Sequence, residues 1–195
     1  MTVRLAHTCD LTPAELDAVR ALLIDAFDGS FSDEDWDHTV GGMHALVRDE
    51  RGLPIAHGSV VQRRVLCGGR WRRVGYVEGV AVRADARRRG LGGEVMAALE
   101  SVIARAYDFG ALSASDEGAP LYSGRGWEVW GGRISGAGPR GVVHLPDEEG
   151  STYVWGLAEA LSEGRSEGLA DALSGALAGA LAEGLVFDWR DGDVL

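Results

Sequence analysis

The sequence of 195 residues contains no lysine and no asparagine. Both amino acids have AT-rich codons, so their absence indicates a GC-rich coding sequence and lowers the weight of any single arginine or glycine as a functional signal. Cysteine is also scarce, with only Cys9 and Cys67 in the whole chain. Two cysteines exclude a disulfide framework and favour a reducing compartment, so a cytoplasmic location is predicted.

Long apolar runs are missing as well. Acidic residues interrupt the apolar stretches among the first thirty residues, so no signal peptide is expected, and no stretch has the length of a membrane-spanning helix. The formal net charge of -11 argues against broad binding to nucleic acid or to an anionic membrane, because both need a cationic face. A hydrophobic content of 46% with 25% charged residues is ordinary for a globular domain, so general disorder is excluded.

The charge is distributed unevenly along the chain. Residues 1–62 have a balance of -7, residues 63–105 a balance of +6 and residues 106–195 a balance of -10. A basic middle between acidic flanks predicts two ligands of opposite sign, with an anion bound by the middle of the chain and a cation bound by the flanks. Solvated surface charge is the alternative interpretation.

Hydrophobic periodicity predicts an α+β fold with a largely antiparallel sheet. Thr12 and Pro13 mark the start of the first helix, Ser32 caps a second, and the clearest helix covers residues 94–106. Residues 156–184 form a low-complexity segment rich in alanine, glycine and leucine, for which we predict only partial helicity because glycine weakens a helix. Strands are predicted over residues 3–7, 44–48, 55–66, 71–83, 109–115, 128–135, 151–155 and 186–189, and a short helix over 119–123.

The most informative motif is the turn Arg87-Arg88-Arg89-Gly90-Leu91-Gly92-Gly93, between a predicted strand and a predicted helix. A glycine-rich turn at a helix N-terminus presents free backbone N–H groups, and the helix dipole adds to them, so this arrangement binds phosphate. The three arginines add bidentate recognition of phosphate oxygens. An ordinary loop and helix cap is the alternative interpretation of the same residues.

In this position the pattern Arg87-x-x-Gly90-x-Gly92 resembles the pyrophosphate-binding signature R/Q-x-x-G-x-G/A of the GNAT acetyltransferases. The predicted element order is also similar to the GNAT fold, a mostly antiparallel mixed central sheet flanked by helices. Five longer blocks resemble the aminoglycoside 2'-N-acetyltransferases, namely residues 35–46, 75–83, 110–113, 121–127 and 188–194. The resemblance implies a single GNAT domain over residues 1–195, with an insertion at about 156–184. It also implies transfer of acetyl from acetyl-CoA to the 2'-amine of an aminoglycoside, which gives antibiotic resistance.

The resemblance further implies roles for individual residues. Val80, Ala81 and Val82 would pair with the pantetheine arm of acetyl-CoA, and a backbone N–H near Val80 would polarise the thioester carbonyl. Glu78 would act as the general base through water, and Tyr122 would protonate the leaving thiolate. The pyrophosphate would lie on the turn formed by Arg87, Arg88, Arg89, Gly90, Leu91 and Gly92.

A polycationic aminoglycoside needs acidic and polar contacts, which the resemblance assigns to several parts of the chain. Two positions depart from the family pattern: Glu148 stands where aspartate is usual, and Leu195 stands where the family example ends in tryptophan. The segment 156–184 is also longer than the resemblance leads us to expect. The implied substrate contacts are Asp35, Glu78, Gly79, Ser113, Asp147, Glu148, Asp193 and Leu195.

Other interpretations stay open at this point. Without the resemblance, Glu78 would be a surface-strand carboxylate and Tyr122 a packing tyrosine. Two other functions are acetylation of a different cationic amine, such as a cell-wall amino sugar or a polyamine, and non-catalytic binding of the drug or of CoA. The five histidines have no metal-ligand spacing with a cysteine or a paired carboxylate, so no metal is predicted. His38 and His44 are predicted to cap or pack. A homodimer is expected from the resemblance alone.

Overall fold

A computed structural model describes residues 2–162 and 183–190 of the chain. The chain folds into two compact units, of which the first comprises Met1–Val61 and Tyr76–Arg105, and the second comprises Gln62–Gly75 and Ala106–Leu195. Two long strands, β3 (Pro54–Cys67) and β4 (Arg70–Val82), contribute residues to both units. The boundary between the units therefore falls inside each of these strands.

The first unit combines helices with a strip of antiparallel strands. Its remaining elements are β1 (Arg4–His7), α1 (Pro13–Ala26), α2 (Asp33–Thr39), β2 (Met43–Arg48) and α3 (Leu91–Ala106), with 3₁₀ turns at Thr8–Asp10 and Ala84–Ala86. Strand β2 pairs with β1 along one edge and with β3 along the other. In the second pairing Leu46 lies opposite His57 and His44 lies opposite Ser59. His44 and His57 are therefore diagonal neighbours on one face of the sheet.

Both α1 and α2 begin at a capping box, as the sequence predicts. The Thr12 hydroxyl accepts from Glu15 N at 3.3 Å, while Glu15 Oε2 accepts from Thr12 N at 2.8 Å. Ser32 and Asp35 make the same exchange at 3.1 and 2.7 Å. These boxes satisfy N–H groups that a first helical turn leaves without partners. The apolar residues of this unit form a core with Ala6, Leu11, Val19, Leu23, Leu46 and Ala81.

Helix α3 packs closely on β3 because position 58 is a glycine. A Cβ at Gly58 would meet Val95 Cγ1 at 2.8 Å and Leu99 Cδ1 at 3.0 Å. Real side chains do not pack that closely, so a larger residue would push the helix away from the strand. Val95 and Leu99 are both buried in the structure.

The start of α3 differs from the prediction. The helix begins at Leu91 and not at residue 94, because Glu94 N donates to Gly90 O at 3.1 Å and closes the first turn there. Gly92 and Gly93 disfavour a helix when they are judged by propensity alone, which explains the late start that the sequence predicts. The arginine–glycine turn therefore ends directly at the helix N-terminus.

The second unit is built mainly from short strands. Its elements are β5 (Phe109–Ser113), α4 (Ala119–Ser123), β6 (Glu128–Val129), β7 (Ile134–Gly138), β8 (Gly141–His144), a 3₁₀ turn (Pro146–Glu148), β9 (Thr152–Trp155), α5 (Leu157–Ser162) and β10 (Leu185–Asp188). The strands of the sheet follow one another in the order β6-β9-β5-β4-β3-β10-β7-β8. Of β3 and β4, the second unit contains only the residues next to the turn that joins them, Gln62–Gly75. Strands β10 and β7 are parallel, whereas β10–β3, β5–β9, β6–β9 and β7–β8 are antiparallel. The predicted α+β fold with a mostly antiparallel mixed sheet is confirmed.

The predicted strand over residues 128–135 is wrong in detail, since it is two strands. A turn separates β6 from β7, in which Trp130 N donates to Thr152 O at 2.8 Å and Trp130 Nε1 donates to Arg133 O at 3.3 Å. Two consecutive glycines, Gly131 and Gly132, lie in this turn and interrupt the strand. Strand β8 is absent from the prediction, and its four residues are exposed, so it carries no buried alternation that would reveal it.

An ion pair between a buried arginine and a partly exposed aspartate connects β3 to β10 in the second unit. The Arg63 side chain is fully buried, and its Nε donates to Asp188 Oδ1 at 2.7 Å. A second guanidinium nitrogen donates to the backbone oxygen of Asp188, and Arg64 N donates to Asp188 Oδ2 at 3.2 Å. The guanidinium also lies 5.4 Å from the ring centroid of Phe187. A cation in such surroundings is tolerated because its donors are satisfied.

The low-complexity segment is described only in part. Helix α5 lies at its start, in agreement with the partial helicity that is predicted there, while residues 163–182 lie outside the described residues. The single domain over residues 1–195 with an insertion at about 156–184 stays a prediction. Among the described residues, no helix has both the length and the apolar character needed to cross a membrane.

Candidate active site

Five of the predicted site residues lie together at the end of β4, in the first unit. Glu78, Gly79 and Val80 are each partly buried, while Ala81 is 6% exposed. Gly79 interrupts the extended backbone with a φ of +54°, in the left-handed region that glycine adopts readily. A Cβ at this position would lie 3.3 Å from both Leu23 Cδ1 and Thr39 Oγ1. Glycine is therefore required here by backbone conformation and by space.

Side chains from β3 bind the backbone of β4 at this irregular point. His57 Nδ1 lies 2.7 Å from Gly79 O, and the Ser59 hydroxyl donates to Glu78 O at 3.5 Å. Both β3 side chains are fully buried. The two successive carbonyl groups of β4 are thus held by side chains, which fixes the backbone beside the predicted general base.

A buried chain of hydrogen bonds extends behind His57. His57 Nε2 lies 2.9 Å from His44 Nδ1, and His44 Nε2 lies 2.8 Å from the Thr8 hydroxyl. That hydroxyl also accepts from Gly41 N at 2.8 Å. From the sequence, His44 is predicted only to cap or pack, and no role is predicted for His57. The sequence signal that could have revealed this contact is the pairing of β2 with β3. In that antiparallel pair, the register places the side chains of residues 44 and 57 on the same face of the sheet.

Burial lowers the pKa of His57 to about 3 and that of His44 to about 4, from an ordinary value of 6.5. Both histidines are therefore neutral in the folded protein near pH 7. The unfolded chain binds a proton at each imidazole below about pH 6.5, whereas the folded protein does so only at lower pH. The two histidines therefore lower the free energy of unfolding as the pH falls below 6.5, and they have no such effect above it.

We expect the free energy of unfolding to fall as the pH is lowered from about 6 towards 4, by roughly 1 kcal/mol per pH unit for each of the two histidines. Urea unfolding at several pH values measures this slope. The His57→Asn variant removes one of the two groups and should flatten the slope by about that amount. Equal slopes for the variant and the unmodified chain would contradict the assignment.

The predicted pyrophosphate turn contains two residues with a left-handed backbone and ends at the N-terminus of α3. Arg88 has a φ of 61° and Gly90 a φ of 80°, so the backbone turns through two left-handed residues immediately before the N-terminus of α3. Side chains brace the turn, because Arg87 Nε donates to Val82 O at 3.2 Å and Arg89 donates to Asp85 O at 2.8 Å. Leu91 is 5% exposed and belongs to the buried hydrophobic core.

Asp35 lies in the first turn of α2 and has a structural partner. Its carboxylate accepts from Ser32 N in the capping box, and its backbone oxygen accepts from the Thr39 hydroxyl at 2.8 Å. The residue is partly buried. One carboxylate oxygen in the capping box does not exclude a ligand at the other, so the predicted substrate contact stays a prediction.

In the second unit, the structure brings two predicted substrate contacts together. The Ser113 hydroxyl, at the end of β5, donates to Glu148 Oε2 at 3.3 Å and lies 3.3 Å from the Ser151 hydroxyl. The backbone oxygen of Glu148 accepts from the hydroxyls of Ser151 and Thr152 at 3.1 and 3.0 Å. Asp147 lies in the same 3₁₀ turn and is exposed. Ser151 was missed by the sequence analysis, in which it is only the first residue of a strand.

Tyr122 lies on α4 among aromatic rings of the second unit. Its ring centroid is 6.4 Å from that of Trp127, edge to face, and 6.1 Å from that of Tyr153. Burial raises the pKa of Tyr122 to about 12, so the phenol is protonated near neutral pH. A protonated phenol can donate a hydrogen bond and cannot act as a base. The packing role and the predicted donor role of Tyr122 are compatible with each other.

The remaining predicted substrate contacts, Asp193 and Leu195, lie outside the described residues. Among residues 2–162 and 183–190, no group of three or more His, Cys, Asp or Glu side chains could hold a metal ion.

Comparisons with known proteins identify the family. Residues 8–130 match the family described as acetyltransferase (GNAT) domain. An aminoglycoside 2'-N-acetyltransferase of Mycolicibacterium fortuitum is 44% identical to the chain over 195 residues, which covers 99% of this chain and 91% of that protein. Both matches are long enough to establish membership.

Solved structures share the fold. A GNAT family N-acetyltransferase of Escherichia coli, solved in complex with CoA, superposes with a TM-score of 0.60 at 18% identity and covers 97% of this chain and 89% of its own. A GCN5-related N-acetyltransferase of Kribbella flavida superposes with a TM-score of 0.53 at 25% identity over 68% of this chain. The chain spans about a third, 35%, of that longer protein. The chain therefore belongs to the GNAT acetyltransferases, in the family of the aminoglycoside 2'-N-acetyltransferases, and is an acyltransferase.

Proposed function

We propose that this acyltransferase moves acetyl from acetyl-CoA to the 2'-amine of aminoglycoside antibiotics and thereby gives resistance. One observation carries the proposal: the first unit combines a carboxylate beside a left-handed glycine on β4 with an arginine–glycine turn at the N-terminus of α3. A base for an amine and a cradle for a pyrophosphate are the two parts that acetyl transfer from acetyl-CoA needs. The E. coli relative with CoA bound and the M. fortuitum relative support the choice of the two substrates.

The turn at residues 87–92 would hold the pyrophosphate of acetyl-CoA. The first N–H groups of α3 have no acceptor within the helix, and the helix dipole favours a negative charge beside them. Arg87, Arg88 and Arg89 are exposed and add positive charge at the same place. The backbone of Val80, Ala81 and Val82 would pair with the pantetheine arm, since it is the end of a strand.

Acetyl-CoA supplies an acyl carbon that a neutral amine can attack. In the proposed reaction the amine nitrogen forms a bond to the thioester carbonyl carbon, and the bond from that carbon to sulfur breaks. Glu78 accepts the amine proton through water, and Val80 N–H stabilises the negative charge that develops on the carbonyl oxygen. The CoA thiolate leaves, and Tyr122 donates a hydrogen bond to its sulfur.

The acceptor is proposed to be polycationic because the chain supplies acidic groups for it. Ser113 and Glu148 already contact each other, with Asp147 in the same turn. Asp35, Asp193 and the terminal carboxylate of Leu195 would add further contacts, and Gly79 would contribute its backbone. Negative side chains of this kind attract and orient a sugar that carries several ammonium groups.

We expect Tyr122→Phe to lower kcat by about tenfold and not to abolish turnover. The pKa of Tyr122, about 12, lies above that of an ordinary thiol, so the phenol stabilises the leaving sulfur by hydrogen bonding more than by full proton transfer. Steady-state kinetics measure the effect. Tyr153→Phe, which changes the neighbouring ring in the same way, is the control and should retain kcat. Equal rates for Tyr122→Phe and the unmodified enzyme would remove Tyr122 from the mechanism.

Release of free CoA thiol tests the proposed function. Acetyl-CoA and tobramycin are mixed with the enzyme, and a disulfide dye reports the thiol. We expect release that depends on both substrates. Release with a cell-wall amino sugar or a polyamine but with no aminoglycoside would identify a different acceptor. Drug binding by calorimetry without any release would instead indicate a non-catalytic binder.

We also propose that the enzyme works in the cytoplasm as a homodimer. The two cysteines support a reducing compartment, since Cys9 and Cys67 are free thiols in the structure. Sedimentation equilibrium of the purified chain tests the dimer. A single species with the mass of one chain, across the concentration range of the kinetic assays, would refute it.

A further inference from the structure

We infer that His57, supported by His44 and Thr8, is a positioning residue for acetyl transfer, because it fixes the peptide group between Gly79 and Val80. This inference rests on the proposed function, in which Val80 N–H stabilises the charge on the thioester oxygen. None of the three side chains is proposed to touch a substrate. Their contacts all lie within the first unit.

The direction of each hydrogen bond in this chain follows from its two ends. Gly79 O can only accept, so His57 Nδ1 carries a proton, and at the other end Gly41 N can only donate, so Thr8 Oγ1 accepts there. Neutral His57 then has a bare Nε2 that accepts from His44 Nδ1–H. His44 Nε2 in turn accepts from the Thr8 hydroxyl, which is closer to it, at 2.8 Å, than to Gly42 O, at 3.2 Å. Each N–H or O–H group in this series of hydrogen bonds, from Gly41 N to Gly79 O, therefore has an acceptor.

The bond at Gly79 O controls the neighbouring N–H because the two belong to one rigid group. The peptide unit that joins Gly79 to Val80 is planar, and in the trans form its C=O and N–H point in opposite directions. When His57 holds Gly79 O, the Val80 N–H is aimed away from β3. The left-handed φ of Gly79 makes this orientation available, but glycine can adopt other conformations equally well. The histidine therefore selects one of several backbone orientations.

The same bond should also strengthen the Val80 N–H as a donor. Hydrogen bonds that follow one another in a chain polarise the groups between them, and the effect is larger where water is excluded. His44 and His57 are both fully buried, so water does not compete for their nitrogen atoms. A preorganised donor lowers the barrier because it needs no rearrangement when charge develops on the thioester oxygen.

Two variants of nearly equal size separate hydrogen bonding from packing. His57→Asn places an amide N–H close to the position of Nδ1, so it can still donate to Gly79 O, whereas His57→Leu fills similar space without a donor. The loss of a complete oxyanion donor costs about 10²- to 10³-fold in kcat. We expect His57→Leu to lose about 10- to 100-fold, because Val80 N–H is misaimed and not removed. The kcat of His57→Asn should stay within about fivefold of that of the unmodified enzyme, a factor that corresponds to one neutral hydrogen bond.

The loss should appear in kcat and not in the KM for acetyl-CoA, because the oxyanion exists only during reaction. Smaller losses are expected for His44→Leu and smaller still for Thr8→Val, in the order of their distance from Gly79. Equal losses in His57→Asn and His57→Leu, or a rise in KM without a change in kcat, would overturn the inference. Thermal unfolding of each variant confirms that folded enzymes are compared.

A spectroscopic measurement keeps the inference separate from the proposed function. The amide proton of Val80 should move in the ¹H–¹⁵N spectrum of His57→Leu and stay near its original position in His57→Asn. This result needs no turnover, so it applies whichever amine is the acceptor. An unmoved Val80 signal in His57→Leu would refute the positioning role. Absence of thiol release by the unmodified enzyme with every aminoglycoside would refute only the proposed function.

Discussion

Glu78→Gln is expected to lower kcat with an aminoglycoside by about 10²- to 10⁴-fold, the range for loss of a general base. Glutamine keeps the size of the side chain and the backbone bond from Ser59 to residue 78. The loss should be largest at pH values where the amine is charged and should diminish at higher pH, since part of the amine is then already deprotonated.

The pH dependence of kcat, measured by thiol release for both enzymes, provides the comparison. Glu50→Gln is the matched control, because Glu50 is an exposed carboxylate of the same unit and lies in the turn after β2. It should leave kcat unchanged. Retention of full activity in Glu78→Gln would exclude Glu78 as the base and transfer the role to another acid or to bulk water.

Asp188→Ala is expected to destabilise the protein by about 2 kcal/mol, less than the cost of breaking a fully buried ion pair, because the Asp188 side chain is 38% exposed. The variant removes the Asp188 carboxylate from the fully buried Arg63 guanidinium, while the backbone oxygen of residue 188 still accepts one bond. The cost comes mainly from the weaker compensation of a buried positive charge. Urea unfolding, with the same slope for both proteins, measures the difference.

Two further variants make this prediction specific. Asp33→Ala removes the carboxylate partner of Arg20 at the surface, where Asp33 is 91% exposed, and should cost less than about 1 kcal/mol. The double variant Arg63→Met, Asp188→Ala removes both charges and should recover much of the stability that Asp188→Ala loses. A double variant less stable than Asp188→Ala would show that Arg63 contributes mainly by packing against Phe187.

Local sequence signals predicted the parts of the fold that depend on neighbouring residues. The capping residues Thr12 and Ser32 located two helix starts, and the hydrophobic pattern of residues 55–66 and 71–83 located β3 and β4. The parallel pairing of β10 with β7 joins segments about fifty residues apart, so no local pattern encodes it. Strand β8 is exposed at every position and therefore has no hydrophobic alternation to detect.

For the candidate site, the sequence predicted residue types better than their partners. The motif at residues 87–92 and the resemblance at Glu78 placed two candidate site segments on a turn and a strand, where the structure has them. The bond between Ser113 and Glu148 and the line from Thr8 to Gly79 depend on side chains that meet only after the strands pair. Such contacts follow from register, which a single sequence specifies only weakly.

If the enzyme acetylates the 2'-amine of an aminoglycoside, two matched antibiotics should differ as substrates. Kanamycin B carries an amine at the 2' position, whereas kanamycin A carries a hydroxyl there and keeps its other amines. We predict thiol release from acetyl-CoA with kanamycin B and none above background with kanamycin A. Equal release with both compounds would show that a different amine is the acceptor and would contradict the proposed regiospecificity.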